Sequence, residues 1–222
     1  MTRGGGDSPA PAADSEAVRR TYDRIADHFA RTRAHPWPEV ESFLADRPAD
    51  GLGTGVDVGC GNGRHLGPLA DLVDQAVGAD ASRAVLWTAV DRVGDRENVT
   101  LLQADAGRLP LATDTAELGL YVATLHHLPG QERRLSSLDE LARVLGADGR
   151  ALVSVWSTTH DQFDRTEGFD TTVDWTLPDG ERVGRFYHVY DPAEFERDLA
   201  DSALGVERTF VSSGNCYARV SG

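Results

Sequence analysis

The run Val56-Asp57-Val58-Gly59-Cys60-Gly61-Asn62-Gly63 constrains this chain more than any other segment. An apolar, strand-forming stretch enters three closely spaced glycines, and a helical pattern follows over Arg64–Val73. Glycine is demanded where backbone turns through positive φ or where a ligand must approach main-chain atoms closely. Downstream the chain alternates. Strand patterns at Val56–Val58, Ala76–Ala79, Val99–Gln103, Leu118–Leu125 and Arg150–Trp156 are separated by helical patterns at Ser82–Val93 and Glu132–Leu145. Strands spaced by helices of roughly 10–15 residues predict an α/β fold, a doubly wound and mostly parallel sheet with helices on both faces. Ligands in such sheets bind beyond the carboxyl ends of the strands, near the switch point.

The flanks have their own patterns. Residues 1–12, with consecutive glycines and Pro-Ala steps, read as a disordered tail. Val18, Tyr22, Ile25 and Phe29 recur at helical spacing, and Val40, Phe43 and Leu44 share a face after Pro38, giving helices within 15–47. A breaker region at Pro48–Gly55 precedes the alternating core of residues 50–156. Residues 157–185 are polar, lose the alternation, and read as an insertion on the acceptor side of the site. Phe186–Tyr190, a helix over Pro192–Ala203 and two strand-like runs complete a single domain over 13–222. Val99–Leu102 is the expected edge strand.

Composition excludes several classes. No window approaches the roughly 18 apolar residues of a membrane span and no signal-peptide core opens the chain, so a cytoplasmic protein is expected. Cys60 and Cys216 are too few for a disulfide scaffold or, alone, a zinc site. The formal charge is −14, with 36 acidic residues against 22 basic ones. Every basic residue is Arg, none is Lys, and Asp outnumbers Glu 24 to 12. That balance suits a halophilic cytosol, where salt screens self-repulsion; a GC-rich genome would also favour Arg and Asp codons. A binding module for nucleic acid without chemistry finds no basic stripe here.

The glycine spacing is G-x-G-x-G, because Arg64 stands where a dinucleotide fingerprint needs its last glycine. Asp57 lies two residues before the first glycine, and a carboxylate there suits an ammonium group and would repel a pyrophosphate. Asp80 ends the second strand, placed to accept hydrogen bonds from both hydroxyls of a ribose. Asp105 follows the third strand, placed to meet an adenine amino group, with the Ala106 N–H as donor. This arrangement resembles the class I S-adenosylmethionine-dependent methyltransferases over roughly residues 50–156. The resemblance implies a seven-stranded sheet whose last strand runs antiparallel, with closing helices at the N-terminus. It implies S-adenosyl-L-methionine as cofactor, held by Tyr22, Arg33, Asp57, Gly59, Cys60, Gly61, Asn62, Gly63, Asp80, Ala81, Asp105, Ala106 and Val122. Cys60 is expected to serve only as a small residue in the loop.

Four stretches resemble one subfamily, the tRNA wobble-uridine carboxymethyl methyltransferases. They are Tyr22 to Arg33 with Pro36-Trp37-Pro38, the pair His126-His127, Gln131-Glu132-Arg133-Arg134, and Arg185-Phe186-Tyr187-His188-Val189-Tyr190. The acceptor this implies is an ionised carboxylate on the wobble base, which attacks a methyl group without a general base. Placement and a cationic hold are then what the protein must supply. Arg185 or Arg33 is expected to grip the acid or a neighbouring phosphate, with Tyr22 and Arg33 closing over the cofactor. His126 is expected to orient the acceptor, and Tyr187 and His188 to line the base pocket. The resemblance also implies a heterodimer with a small zinc-binding methyltransferase activator that pairs with the edge strand, and tRNA as substrate. A methyltransferase for a small metabolite, or a catalytically idle scaffold subunit, would share the cofactor motifs. An idle copy is expected to lose the loop glycines or Asp80, which this chain keeps.

Overall fold

The computed structural model describes residues 14–46 and 52–222. The tail expected over residues 1–12 and much of the breaker region lie outside the described residues. Two helices lead, α1 (Ser15–Thr32) and α2 (Pro38–Ala45). Asp14 caps α1 by accepting from the Ala17 N–H at 2.6 Å, which satisfies one of the free donors of the first turn. The core then alternates through β1 (Leu52–Val58), α3 (Leu66–Ala70), β2 (Val73–Asp80), α4 (Arg83–Val93), β3 (Val99–Gln103) and β4 (Ala116–Val122). It continues with α5 (Gln131–Val144) and β5 (Leu145–Trp156). The chain ends with β6 (Phe169–Thr176), β7 (Arg182–Val189), α6 (Pro192–Asp201), β8 (Gly205–Ser212) and β9 (Asn215–Ser221).

The main sheet has seven strands in the order β3-β2-β1-β4-β5-β9-β8. Strands β1 to β5 pair in parallel, while β9 runs antiparallel to both β5 and β8. The order reverses between β1 and β4, so the crevice beyond their carboxyl ends is the switch point. Alternation sorts the buried side chains to two faces. Leu118, Leu120 and Val122 pack with α2, α3 and α4. Tyr121, Val153 and Val155 pack with α5 and α6. Leu118 and Leu120 are both fully buried, each contributing roughly 2 kcal/mol. No helix among the described residues is long and apolar enough to cross a membrane.

Three expectations change. The helix expected over Arg64–Val73 shrinks to α3, because Val73 already pairs with Leu52 at the start of β2. The strand expected to reach Leu125 stops at Val122. Ala123 takes φ +54° and Leu125–His127 forms a 3-10 turn. Residues 157–185 are not an irregular insertion: β6 and β7 form a hairpin, a separate two-stranded sheet. In β6, half-buried Phe169, Thr171, Val173 and Trp175 alternate with exposed Asp170, Thr172, Asp174 and Thr176. Three threonines and two aspartates kept that period too polar to be recognised. The strand expected at Phe186–Tyr190 is thus the second half of β7, outside the main sheet.

Candidate active site

A cavity of about 730 Å³ opens at the switch point, beneath α1 and beside β7. Its floor is the glycine loop. Gly59, Gly61 and Gly63 all take positive φ, +70°, +57° and +73°. At Gly59 the need for glycine is also steric, since a Cβ would lie 2.2 Å from Thr124 Oγ1. Asp80 braces the loop, accepting from the Gly61 N–H at 3.0 Å and from the Ser82 N–H at 2.8 Å. Its carboxylate is drawn in far enough that burial raises its pKa. Each oxygen keeps a lone pair for a ribose hydroxyl. Asn62 is buried, and its amide donates to the carbonyls of Ala30 at 3.1 Å and Arg33 at 3.0 Å. Those are orphan acceptors at the end of α1, so Asn62 ties the roof of the cavity to its floor. Cys60 is a buried thiol whose pKa burial pushes up.

Asp57 and Gly63 do not reach the cavity wall. Asp57 lies beneath the loop, 1% exposed, and its Oδ2 has no hydrogen-bond partner. Burial pushes its pKa from 3.8 up to about 7; Arg64 lowers it and Asp80 adds to the rise. Between about pH 4 and 7 the folded state therefore binds more protons than the unfolded chain, and stability falls as pH rises. Asp57→Asn should melt above the wild type at about pH 8 and lose that advantage near pH 4, while binding S-adenosylhomocysteine more weakly. Thermal melts at both pH values, with and without that ligand, check this. An equal shift at both pH values would show that Asp57 carries no such titration.

The adenosine side is built by the ends of β2, β3 and β4. Asp80, Ala81, Asp105, Ala106 and Val122 all line the cavity. Asp105 is partly engaged already: one oxygen accepts from the Gly107 N–H at 2.8 Å and the other pairs with Arg133. Asp105 thus lines the cavity with Arg133, which α5 delivers and to which the sequence assigned no role, beside it.

On the acceptor side, α1, the 3-10 turn and β7 converge. His127, one of the His126-His127 pair but given no role from the sequence, organises this wall. Its Nδ1 lies 3.0 Å from the Phe186 carbonyl and its Nε2 2.7 Å from the Tyr22 hydroxyl. A carbonyl only accepts, so Nδ1 carries the proton and Tyr22 donates to Nε2. Burial holds the ring neutral, its pKa lowered to about 3. The Tyr22 and Tyr187 hydroxyls interact, and Arg185 Nη1 donates to the Tyr187 hydroxyl at 2.6 Å. The Arg185 guanidinium is 7% exposed, stacks over Trp175 at 4.7 Å, and leaves its Nε buried without a partner. No carboxylate pairs with Arg185 among the described residues. Arg33 stacks over Trp175 and Phe29, at 5.5 and 5.4 Å.

His126 lines the cavity, and its Nδ1 accepts the Trp156 N–H at 2.8 Å. The ring proton therefore sits on Nε2. Burial, with His127 and Arg185 nearby, holds its pKa well below the usual value, so this histidine offers a donor rather than a base. His188 does not line the cavity, contrary to expectation. Strand alternation turns Arg185 and Tyr187 inward and sends His188 the other way, to Asp170 at 2.7 Å and Glu194 at 2.9 Å. It joins the hairpin to α6.

These residues fit S-adenosylmethionine. An orphaned buried carboxylate lies beneath the glycine loop, a braced carboxylate ends β2, and a small-residue wall runs along Ala79, Ala81, Ala104 and Ala106. The Methyltransferase domain family matches residues 56–153. The tRNA (carboxymethyluridine(34)-5-O)-methyltransferase of Saccharomyces cerevisiae is 35% identical over 173 residues, covering 76% of this chain and 60% of that one. Its namesake in Schizosaccharomyces pombe is 32% identical over 170 residues, covering 74% and 69%. This chain thus spans about three fifths of the budding-yeast relative's length. The fold is also that of a chain in the complex between the Haloferax volcanii Trm112 methyltransferase activator and a methyltransferase. The TM-score is 0.66 at 17% identity, over 92% of this chain and 96% of that one. The chain is an S-adenosylmethionine-dependent methyltransferase of class I and belongs to the tRNA (carboxymethyluridine(34)-5-O)-methyltransferase family.

Proposed function

We propose that this chain methylates the carboxylate of carboxymethyluridine at the tRNA wobble position, as the catalytic subunit of a cytoplasmic heterodimer with a small zinc-binding activator. One observation carries the acceptor assignment: Arg185 presents a buried guanidinium with an unused Nε and no carboxylate partner among the described residues. An unpaired buried cation is costly, and an anionic acceptor compensates it. The relatives' names support the same acid.

When bound, the cofactor supplies an electrophilic methyl group on a sulfonium. The chain's task is then to bind and orient. Asp80 and the alanine wall hold the adenosine half, with Asp105 at its adenine end and Arg33 at the amino-acid half; Asp57 acts from beneath the glycine loop. Arg185 holds the acid through its planar fork, braced by Tyr187, and His126 Nε2–H orients an acceptor oxygen. No residue on this wall is set up to take a proton, which suits an acceptor that is already ionised.

For the activator, the supporting observation is the edge position of β3, whose Leu101 and Leu102 are only half-buried. An unpaired edge can accept a partner strand. The absence of Lys and the acidic excess support a salt-rich cytosol as the setting.

The test is co-expression with a candidate activator at high potassium chloride, followed by methyl transfer from labelled S-adenosylmethionine to tRNA. Incorporation is expected into tRNA bearing the carboxymethylated wobble uridine and not into unmodified tRNA. Leu101→Pro, which removes a main-chain donor from the open side of the edge strand, should abolish co-purification with the activator. S-adenosylhomocysteine binding without any incorporation would move the assignment to a small acid.

A further inference from the structure

Many of the described arginines of this acidic chain pair with carboxylates. Arg19, Arg24, Arg96, Arg133 and Arg143 all form ion pairs. Three others around the end of α1 do not, Arg33 and Arg64 lining the cavity and Arg92 the shallow pocket behind it. Arg33 closes α1, Arg64 follows the glycine loop, and Arg92 comes from the last turn of α4; none has an ion-pair partner among the described residues. Arg92 donates to the carbonyls of Ala34 at 2.8 Å and Arg33 at 3.1 Å, which folds its guanidinium over the end of α1. Arg64 lies over the Trp37 ring at 4.8 Å. Arg33, Arg64, Trp37 and His65 all line the cavity, together with Ser213 and Asn215 from the β8–β9 turn.

Two further facts show that this end of the cavity is short of an anion. Burial, Arg33 and Arg92 together lower the Arg64 pKa to about 10 against the pull of Asp57. His65 is 4% exposed and its Nε2 has no hydrogen-bond partner; burial first, then Arg64 and Arg92, lower its pKa to about 3. Of the acidic groups nearby, Asp27 and Asp91 share the shallow pocket with Arg92 without an ion pair to it, and Asp57 is buried beneath the loop. Glu39 accepts from Ser212 Oγ at 2.6 Å and acts on the Tyr217 hydroxyl.

We propose that Arg64 and Arg92, with Arg33 beside them, form a phosphate subsite for the RNA backbone next to the wobble nucleotide, distinct from the Arg185 grip on the base's acid. This rests on the tRNA reading above. A polynucleotide whose base enters the acceptor wall brings backbone phosphates to the cavity edge, and the Arg64 and Arg92 guanidinium groups, left over once Arg33 faces the cofactor, match an extended anion. The cluster also supplies locally the positive potential that the net charge of −14 denies the surface as a whole.

The experiment measures fluorescence anisotropy of an anticodon stem-loop carrying the carboxymethylated uridine, across a potassium chloride series, with methyl-transfer kinetics on the same tRNA. In Arg64→Gln and Arg92→Gln, RNA affinity should fall several-fold and KM for tRNA should rise equally, with kcat within about twofold. The slope of log affinity against log salt should shrink by about 0.7 for each arginine removed. Arg64→Lys should restore the slope, which a merely structural role would not require. An unchanged slope in a wild type that methylates tRNA overturns the subsite and spares the tRNA reading. Loss of S-adenosylhomocysteine affinity with the slope intact would assign the cluster to the cofactor's carboxylate and overturn it too. A wild type that neither binds nor methylates tRNA sinks both.

Discussion

Arg185→Ala should lower kcat/KM for the carboxylate acceptor by about 30- to 1,000-fold, while S-adenosylhomocysteine affinity stays within about twofold. The magnitude follows from removing one partner of a desolvated charge pair, about 2–4 kcal/mol. Arg185→Lys should recover only part of the loss, because an ammonium restores charge but not the two-point contact. Stability should move the other way. In the free enzyme the guanidinium is buried without a counter-ion among the described residues, held by Trp175 and the Tyr187 and Tyr22 hydroxyls. Removing it should leave the melting temperature of the free protein unchanged or higher, and abolish any stabilisation by an acidic acceptor analogue. A variant that melts several degrees lower yet keeps full turnover would make Arg185 a packing residue and end the proposed role.

Gly59→Ala should be the most damaging small substitution in the chain. The new Cβ would meet Thr124 at 2.2 Å from Oγ1 and 2.3 Å from Cγ2, on a backbone with φ +70°. Overpacking of this kind costs about 1–3 kcal/mol and the left-handed conformation about 1–2 more, so a fall of about 5–15 °C in melting temperature is expected. Cofactor affinity should fall with it, since Thr124 also donates to the Gly59 carbonyl at 3.3 Å. Adding Thr124→Ala should recover the steric part and leave the conformational part. Full recovery in the double variant would show that φ at this position is free to relax. No recovery would show that the clash is not what destabilises the loop.

The cofactor half of the site was legible because its chemistry is local. The glycine loop lies within one turn of a strand end. Asp80 and Asp105 each follow their own strands, and period and spacing place all of them at the same edge of the sheet. The acceptor half is assembled from distant segments. Tyr22, His127 and Arg185 meet only because α1 crosses the switch point and the β6–β7 hairpin folds back over it. His188 illustrates the limit. Beside Tyr187 in the chain it reads as a pocket residue, but a strand sends neighbours to opposite faces, and the hairpin's register decided which face is the cavity.

By itself, then, the sequence determined the doubly wound sheet, the glycine loop and the carboxylates that follow its second and third strands, because each depends on short-range periodicity or on residue type alone. Only the tertiary structure decided which arginine is buried without a partner, which histidine carries the wall, and where an unneutralised cluster remains. Those are properties of desolvation and mutual distance, and no linear spacing encodes them until the hairpin and α1 have closed over the strand ends.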